Sequence, residues 1–154
     1  MGSRSKARKR AVDVLYEADL RDIDAVTLLS ERVGSPDAPP VSDYTVTLVE
    51  GITENRQRID EVLIEHAEGW SLARMPAVDR SVLRLGLFEL LWREDVPPAV
   101  AIDESVELVK TLSTDDSPRF VNGVLGRIAG ISNRLRASLR AEQAAEHSAE
   151  QGAD

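Results

Sequence analysis

Two short stretches carry side chains whose types and spacing suit contact with a nucleic acid. The first is "MGSRSKARKR", residues 1–10, which holds Arg4, Lys6, Arg8, Lys9 and Arg10 and no acid. Cations in such a run pair with phosphates and release counterions, giving affinity that depends on salt and ignores sequence. Lys9 and Tyr16 stand seven residues apart, and Arg8, Val12 and Tyr16 step by four, so a helix would set the phenol ring beside the cations. A ring so placed can stack a splayed base, which single-stranded RNA sites require. The competing reading is a solubilising tail, with Tyr16 at the edge of the core. The second stretch is "STDDSPRFVNGVLGRIAG", Ser113 to Gly130. Its Val121, Val124, Leu125 and Ile128 form a core stripe that needs no ligand. Asp115 and Asp116 sit just before the positive end of a helix, where carboxylates are mildly favoured. Arg119 and Phe120 are less determined, and Phe120 either joins the stripe or lies at its rim with a face open to a base. Asn122 can read a base edge or cap a neighbouring backbone.

Catalysis has no comparable constellation. The two histidines are His66, on an apolar helical stripe, and His147, in a polar tail, and no second histidine or carboxylate stands near His66 at metal-ligand spacing. The chain has no cysteine, so thiolate sites and disulfides are excluded. No glycine-rich phosphate loop follows a strand, and no serine or lysine has the partners that would activate it as a nucleophile. A binding protein is expected, with no catalytic residue, metal or cofactor.

The net charge of −8 argues against nucleic acid until its distribution is considered. Residues 1–10 carry +5, which leaves 14 bases against 27 acids in the remainder. A basic arm on an acidic body confines any RNA contact to the arm and to cations near it. No apolar run approaches the roughly 20 residues that span a bilayer, and no signal-peptide core follows the basic start. A cytoplasmic protein without membrane contact is the expectation.

The elements that must position these residues are helical throughout. Ala7, Ala11, Val14, Leu15 and Ala18 fall on one face, so the arm runs directly into an amphipathic helix. Asp24 caps a second helix, which stops at the connector "GSPDAPP", residues 34–40. Ser42 or Asp43 caps the next, with Leu48, Ile52, Ile59, Val62, Leu63 and His66 along one stripe that ends near Gly69. Pro76 opens a helix carrying Val78, Val82, Leu85 and Phe88, and Pro97 and Pro98 break the chain after it. A helix with Ala101, Val106, Leu108, Val109 and Leu112 follows. The last strong helix is expected to start with Ser117 as N-cap and Pro118 as its first residue, with Gly123 and Gly126 admitting a close helical neighbour. The spacing predicts an all-α protein of about seven helices in two small bundles. These form one domain over residues 1–140, with subdomains of about 1–69 and 70–140, followed by a flexible acidic tail, 141–154, that is frayed or disordered.

Three segments, "KARKRAVDVLYEADL", "MPAVDRSVLRLGLFELLWREDVPPAVAIDESVELVK" and "STDDSPRFVNGVLG", resemble the NusB family of transcription antitermination factors. The resemblance covers most of residues 4–130. Its most specific part is the last, an acid–Ser–X–basic–Phe-Val-Asn-Gly-Val-Leu run. It implies two helical bundles packed roughly at right angles. It also implies binding to boxA, a short single-stranded element of ribosomal RNA leaders, together with the ribosomal protein that doubles as NusE. The pair then joins the RNA polymerase complex with other Nus factors and suppresses termination. By this resemblance Arg4, Lys6, Arg8, Lys9, Arg10 and Tyr16 form one RNA-facing patch, and Asp116, Arg119, Phe120 and Asn122 a second. Asp79 corresponds to an acidic position in the surface offered to the ribosomal protein.

A weaker similarity runs to the NusB-like domain that precedes some ribosomal RNA cytosine methyltransferases, but the short tail here leads to no expectation of a fused enzyme. The chain departs from the family pattern in its short, proline-rich connector and in Ser5, which interrupts the basic run. Some members pair as homodimers over the RNA surface, so a homodimer stands beside the monomer as an expected form. From a different class, the alternative function is a protein–protein scaffold whose acidic body docks a basic partner.

Overall fold

The computed structural model describes residues 2–152. All regular structure among these is helical: α1 (Ser3–Arg21), α2 (Ala25–Gly34), α3 (Asp43–Glu54), α4 (Arg56–His66), a 3-10 turn (Leu72–Arg74), α5 (Ala77–Trp92), α6 (Pro98–Leu112), α7 (Ser117–Ala129) and α8 (Ser132–Gln151). The expected all-α class stands, with eight α-helices among the described residues where about seven were expected from the spacing.

The starts of α2 and α3 follow the capping residues. The Asp24 carboxylate accepts the Thr27 N–H at 2.9 Å, and the Ser42 hydroxyl oxygen accepts that of Thr45 at 3.3 Å. The single stripe expected from Leu48 to His66 is two helices. Asn55 interrupts it, since its side-chain amide donates to the Gly51 carbonyl at 2.8 Å and competes with the backbone ladder. At the other end of the chain, the expected frayed or disordered tail is helical as far as Gln151; residues 153 and 154 lie outside the described residues. Residues 132–151 contain no proline or glycine and are rich in Ala, Glu and Arg, all good helix formers. The first half of α8 is anchored by Leu139 and by Arg136, which donates to the Leu90 carbonyl at 2.8 Å.

α5 is the hub. Every residue from Ser81 to Leu91 is buried, and the helix packs against α1, α3, α4, α6, α7 and α8. Leu48, Ile59 and Leu63 from the first half of the chain share one apolar cluster with Leu83, Leu87 and Leu125 from the second. Two glycines permit the closest approaches. A Cβ on Gly86 would lie 2.6 Å from the Ser105 hydroxyl and 2.7 Å from a Leu125 methyl, and one on Gly51 would overlap the Phe88 ring. The glycines of α7 do not have this role: a Cβ on Gly126 would meet nothing within 4 Å.

Three charged residues of α5 are buried, and they stand five apart: Asp79, Arg84 and Glu89. At 3.6 residues per turn, five residues turn about 140°, so the three point in well-separated directions around the helix. Each meets a different neighbour. Asp79 faces the α6–α7 junction, Arg84 pairs with Asp60 of α4 at 2.8 Å, and Glu89 pairs with Arg8 of α1 at 2.9 Å. A buried charge left without its partner costs several kcal/mol, so each pair fixes where its neighbour docks.

Candidate nucleic-acid interface

The arm is ordered helix from Ser3, and its cations divide by face. Lys6 and Lys9 are exposed. Arg4 is folded onto the body, where its Nη2 lies 3.0 Å from the Asp95 carboxylate and its guanidinium 4.3 Å from the centre of the Tyr44 ring. The hydrogen bond from Arg4 holds the Asp95 carboxyl below its ordinary range. Arg10 is half-buried, with Nε and Nη2 covered but unpartnered. Tyr16 is half-buried on the same helix.

Arg8 departs from the sequence expectation. It is 2% exposed, and its Nε donates to both Glu89 oxygens, at 2.9 and 3.0 Å. Its Nη1 lies 3.4 Å from Glu104, which also accepts from the Ser5 hydroxyl at 2.7 Å. Burial opposes the Arg8 charge, but the hydrogen bond and attraction of Glu89 outweigh it and raise the pKa. The Tyr44 hydroxyl donates to Glu89 as well, in a short hydrogen bond. Burial first, and then Glu89, push the Tyr44 phenol up to about 12. Arg8 is therefore the bolt that fastens the arm and is not part of its exposed face. Its spacing carried the signal, because Ala11, Val12 and Leu15 follow it at i+3, i+4 and i+7.

The second patch is built at the start of α7. Asp79, expected on a partner-facing surface, is 2% exposed. Its two oxygens accept from the Ser113 hydroxyl at 2.6 Å and the Ser117 hydroxyl at 2.9 Å. The Ser117 oxygen in turn accepts from the Thr114 N–H at 3.2 Å. Ser117 is therefore the first residue of α7 and Pro118 the second, while Asp116 occupies the cap position with no side-chain cap bond. The expected N-cap serine is instead spent on the Asp79 carboxylate, because a buried carboxylate demands donors. So fixed, the helix leaves Arg119 and Asn122 exposed, Phe120 half-buried and Asp116 exposed at the rim of a pocket of about 310 Å³.

Spacing alone did not reveal two residues of this pocket. Trp70, 54% exposed, sets its ring against that of Phe120, with centroids 5.6 Å apart and planes at 57°. Arg74, from the 3-10 turn, stands on the same rim. The sequence signal for Trp70 was its place directly after Gly69, near which the helical stripe was expected to end, and Arg74 carried none.

Both patches are anchored to α5, the arm at Glu89 and the start of α7 at Asp79. Ten residues of α-helix set those anchors about 15 Å apart along its axis. The cations between and around them share one property. Among the described residues, Lys6, Lys9, Arg10, Arg74 and Arg119 make no ion pair, although acids far outnumber bases. Elsewhere only Arg134 and Arg136 share it, and Arg136 is engaged by the Leu90 carbonyl. Unpaired cations in an acidic protein offer phosphate binding without first breaking an internal pair.

Comparison with known proteins gives a consistent set of relatives. The model of the NusB family matches residues 5–130. Transcription antitermination protein NusB of Saccharopolyspora erythraea is 84% identical over 141 residues, which cover 91% of this chain and 95% of that protein. Among solved structures, T. maritima NusB superposes with a TM-score of 0.75 at 36% identity, covering 84% of this chain and 92% of that one. A chain in the structure of antitermination factors NusB and NusE in complex with dsRNA gives 0.72 at 32% identity, covering 82% and 96%.

Proposed function

The chain belongs to the NusB family, and from that premise we propose that it is an RNA-binding antitermination factor. It binds boxA-type leader RNA of ribosomal RNA operons together with the ribosomal protein NusE. The pair then joins the RNA polymerase complex with other Nus factors and suppresses termination. That work is done in the cytoplasm and is binding, not catalysis. The observation that carries the reading is the concentration of unpaired cations at two patches tied to one helix, the second of which also presents aromatic rings.

Each patch has a distinct task. Lys6, Lys9 and Arg10 of the arm, joined by Arg4 once it leaves Asp95, pair with phosphates and supply salt-sensitive affinity. Arg119, Phe120 and Asn122 at the start of α7 supply a phosphate contact, a ring for stacking and an amide for a base edge. Arg8 and Asp79 hold the two patches in place from inside. For Asp79 this replaces a direct contact with the ribosomal protein, since its carboxylate is covered. The single domain of residues 1–140 is read as one working unit, with α8 extending from it.

The test is anisotropy of a fluorescently labelled boxA-like RNA titrated with the protein, with and without NusE, at two salt concentrations. Tight, salt-sensitive binding that NusE enhances and a scrambled RNA does not share is expected. Weak binding, indifferent to RNA sequence and to NusE, would overturn the reading and leave a scaffold with a basic arm.

A further inference from the structure

Trp70 has no assigned role, and its placement is specified by the chain. After α4 ends at His66, Glu68 and Gly69 take φ values of 38° and 83°, two successive left-handed residues that reverse the backbone. The Trp70 N–H closes the turn on the Ala67 carbonyl at 3.2 Å. α7 secures the turn from the other side, through Arg127, which donates to the His66 carbonyl at 3.1 Å and lies 3.7 Å from Glu68. The turn thus presents one of the two tryptophans to solvent beside Phe120.

We propose that Trp70 and Phe120 together form a platform that stacks one unpaired base of the RNA, with Arg74 and Arg119 pairing with its flanking phosphates. The proposal rests on the reading that the start of α7 faces RNA, and it adds to that reading the residue that supplies most of the stacking surface. Phe120 is half-buried and offers only part of a ring. Trp70 is the more exposed of the pair and the better π-surface. The rings touch at 57°, so a base does not slide between them. It lies on the open face of Trp70 with its edge over the pocket. The chemistry favours a nucleotide over an apolar protein side chain, because Arg74 on the rim and the exposed Arg119, next to Phe120 in the chain, make no ion pair among the described residues. Asp116, on the same rim, turns phosphate away from its own side and so sets the direction in which the strand leaves.

The protein has two tryptophans, which makes the test direct. In a Trp92→Phe variant the remaining emission belongs to Trp70, and titration with a boxA-like single strand is expected to quench it. The same strand lacking a single base at each position in turn should bind without quenching at one position only. In the full chain, Trp70→Ala is expected to weaken RNA binding about tenfold or more, with the slope against salt unchanged and Trp70→Phe recovering most of the loss. If the unaltered protein binds no RNA, the functional reading itself fails. If it binds and Trp70 is neither quenched nor needed, the platform is refuted while that reading stands. Loss of NusE binding with RNA binding intact would show that the pocket takes a protein side chain, and would also refute it. The quenching measurement leaves Trp70 in place, so it decides even if Trp70→Ala fails to fold.

Discussion

The Ser117 hydroxyl donates to the buried carboxylate of Asp79 across 2.9 Å, joining the first turn of α7 to the first turn of α5. Ser113 donates to the other oxygen of the same carboxylate, so one side chain holds both ends of the α6–α7 junction. The rings and cations beyond that junction keep their positions only while it is closed.

Asp79→Ala removes the carboxylate acceptor of the buried Ser117 hydroxyl and the half-buried Ser113 hydroxyl and is expected to lower the unfolding free energy by about 1–3 kcal/mol. RNA affinity should fall with it, because Arg119 and Phe120 lose their fixed starting point. Asp79→Asn keeps an acceptor at nearly the same volume and should lose less of both. Urea denaturation and RNA anisotropy on the two variants check this. Undiminished RNA affinity in a destabilised Asp79→Ala protein would dissociate the junction from the patch.

Arg8 and its exposed neighbours should separate cleanly. Removing Arg8 strands Glu89 in the interior, and Arg8→Ala is expected to cost about 3–5 kcal/mol of stability. Lys6→Ala with Lys9→Ala should leave stability nearly unchanged and reduce the slope of log affinity against log salt by roughly 1.4, the figure for two contacts on a single strand. Thermal melts and titrations at several salt concentrations give both quantities.

Asp116 is exposed at the pocket rim, where its carboxylate repels any phosphate drawn to Arg119. Asp116→Asn removes that repulsion and should tighten RNA binding several-fold, without the loss of stability that a capping residue would show, since its side chain caps nothing. An affinity equal to or weaker than that of the parent protein would remove Asp116 from the interface.

Tyr44 provides a pH signature. Its phenol is raised from 10.0 to about 12, so the fold favours the neutral form. The stabilisation is complete below pH 10 and is lost as the pH rises from there through 12, where the ionised ring would confront the Glu89 carboxylate. Spectrophotometric titration of the folded protein should show one tyrosine ionising near pH 12, and Tyr44→Phe should abolish that phase.

Much of the architecture was legible because helices announce themselves by period and by cap. Asp24, Ser42 and the proline pairs placed the boundaries of α2, α3 and α6. Polar side chains that act across the fold were harder to read. A basic run states its charge but not its direction, and Arg8 follows the apolar stripe inward while Lys6 and Lys9 do not. The Ser-Pro start of α7 looked like a self-contained cap because nothing local reveals that Asp79, 38 residues earlier, claims the serine. Asn55 split a stripe that hydrophobic spacing alone would run through, and the pocket's Trp70 comes from a turn with no periodicity to read.

The attachment of both proposed RNA patches to α5 also determines which changes of length the chain can absorb. One residue inserted between Asp79 and Glu89 would swing one anchor about 100° around the helix relative to the other and lengthen the gap by about 1.5 Å. Either Ser117 or Arg8 would then face the wrong neighbour. The segment between the anchors is therefore a fixed-length gauge. Length variation belongs in the Gly34–Pro40 connector and beyond Leu139 in α8, where residues can be gained or lost without moving one patch against the other.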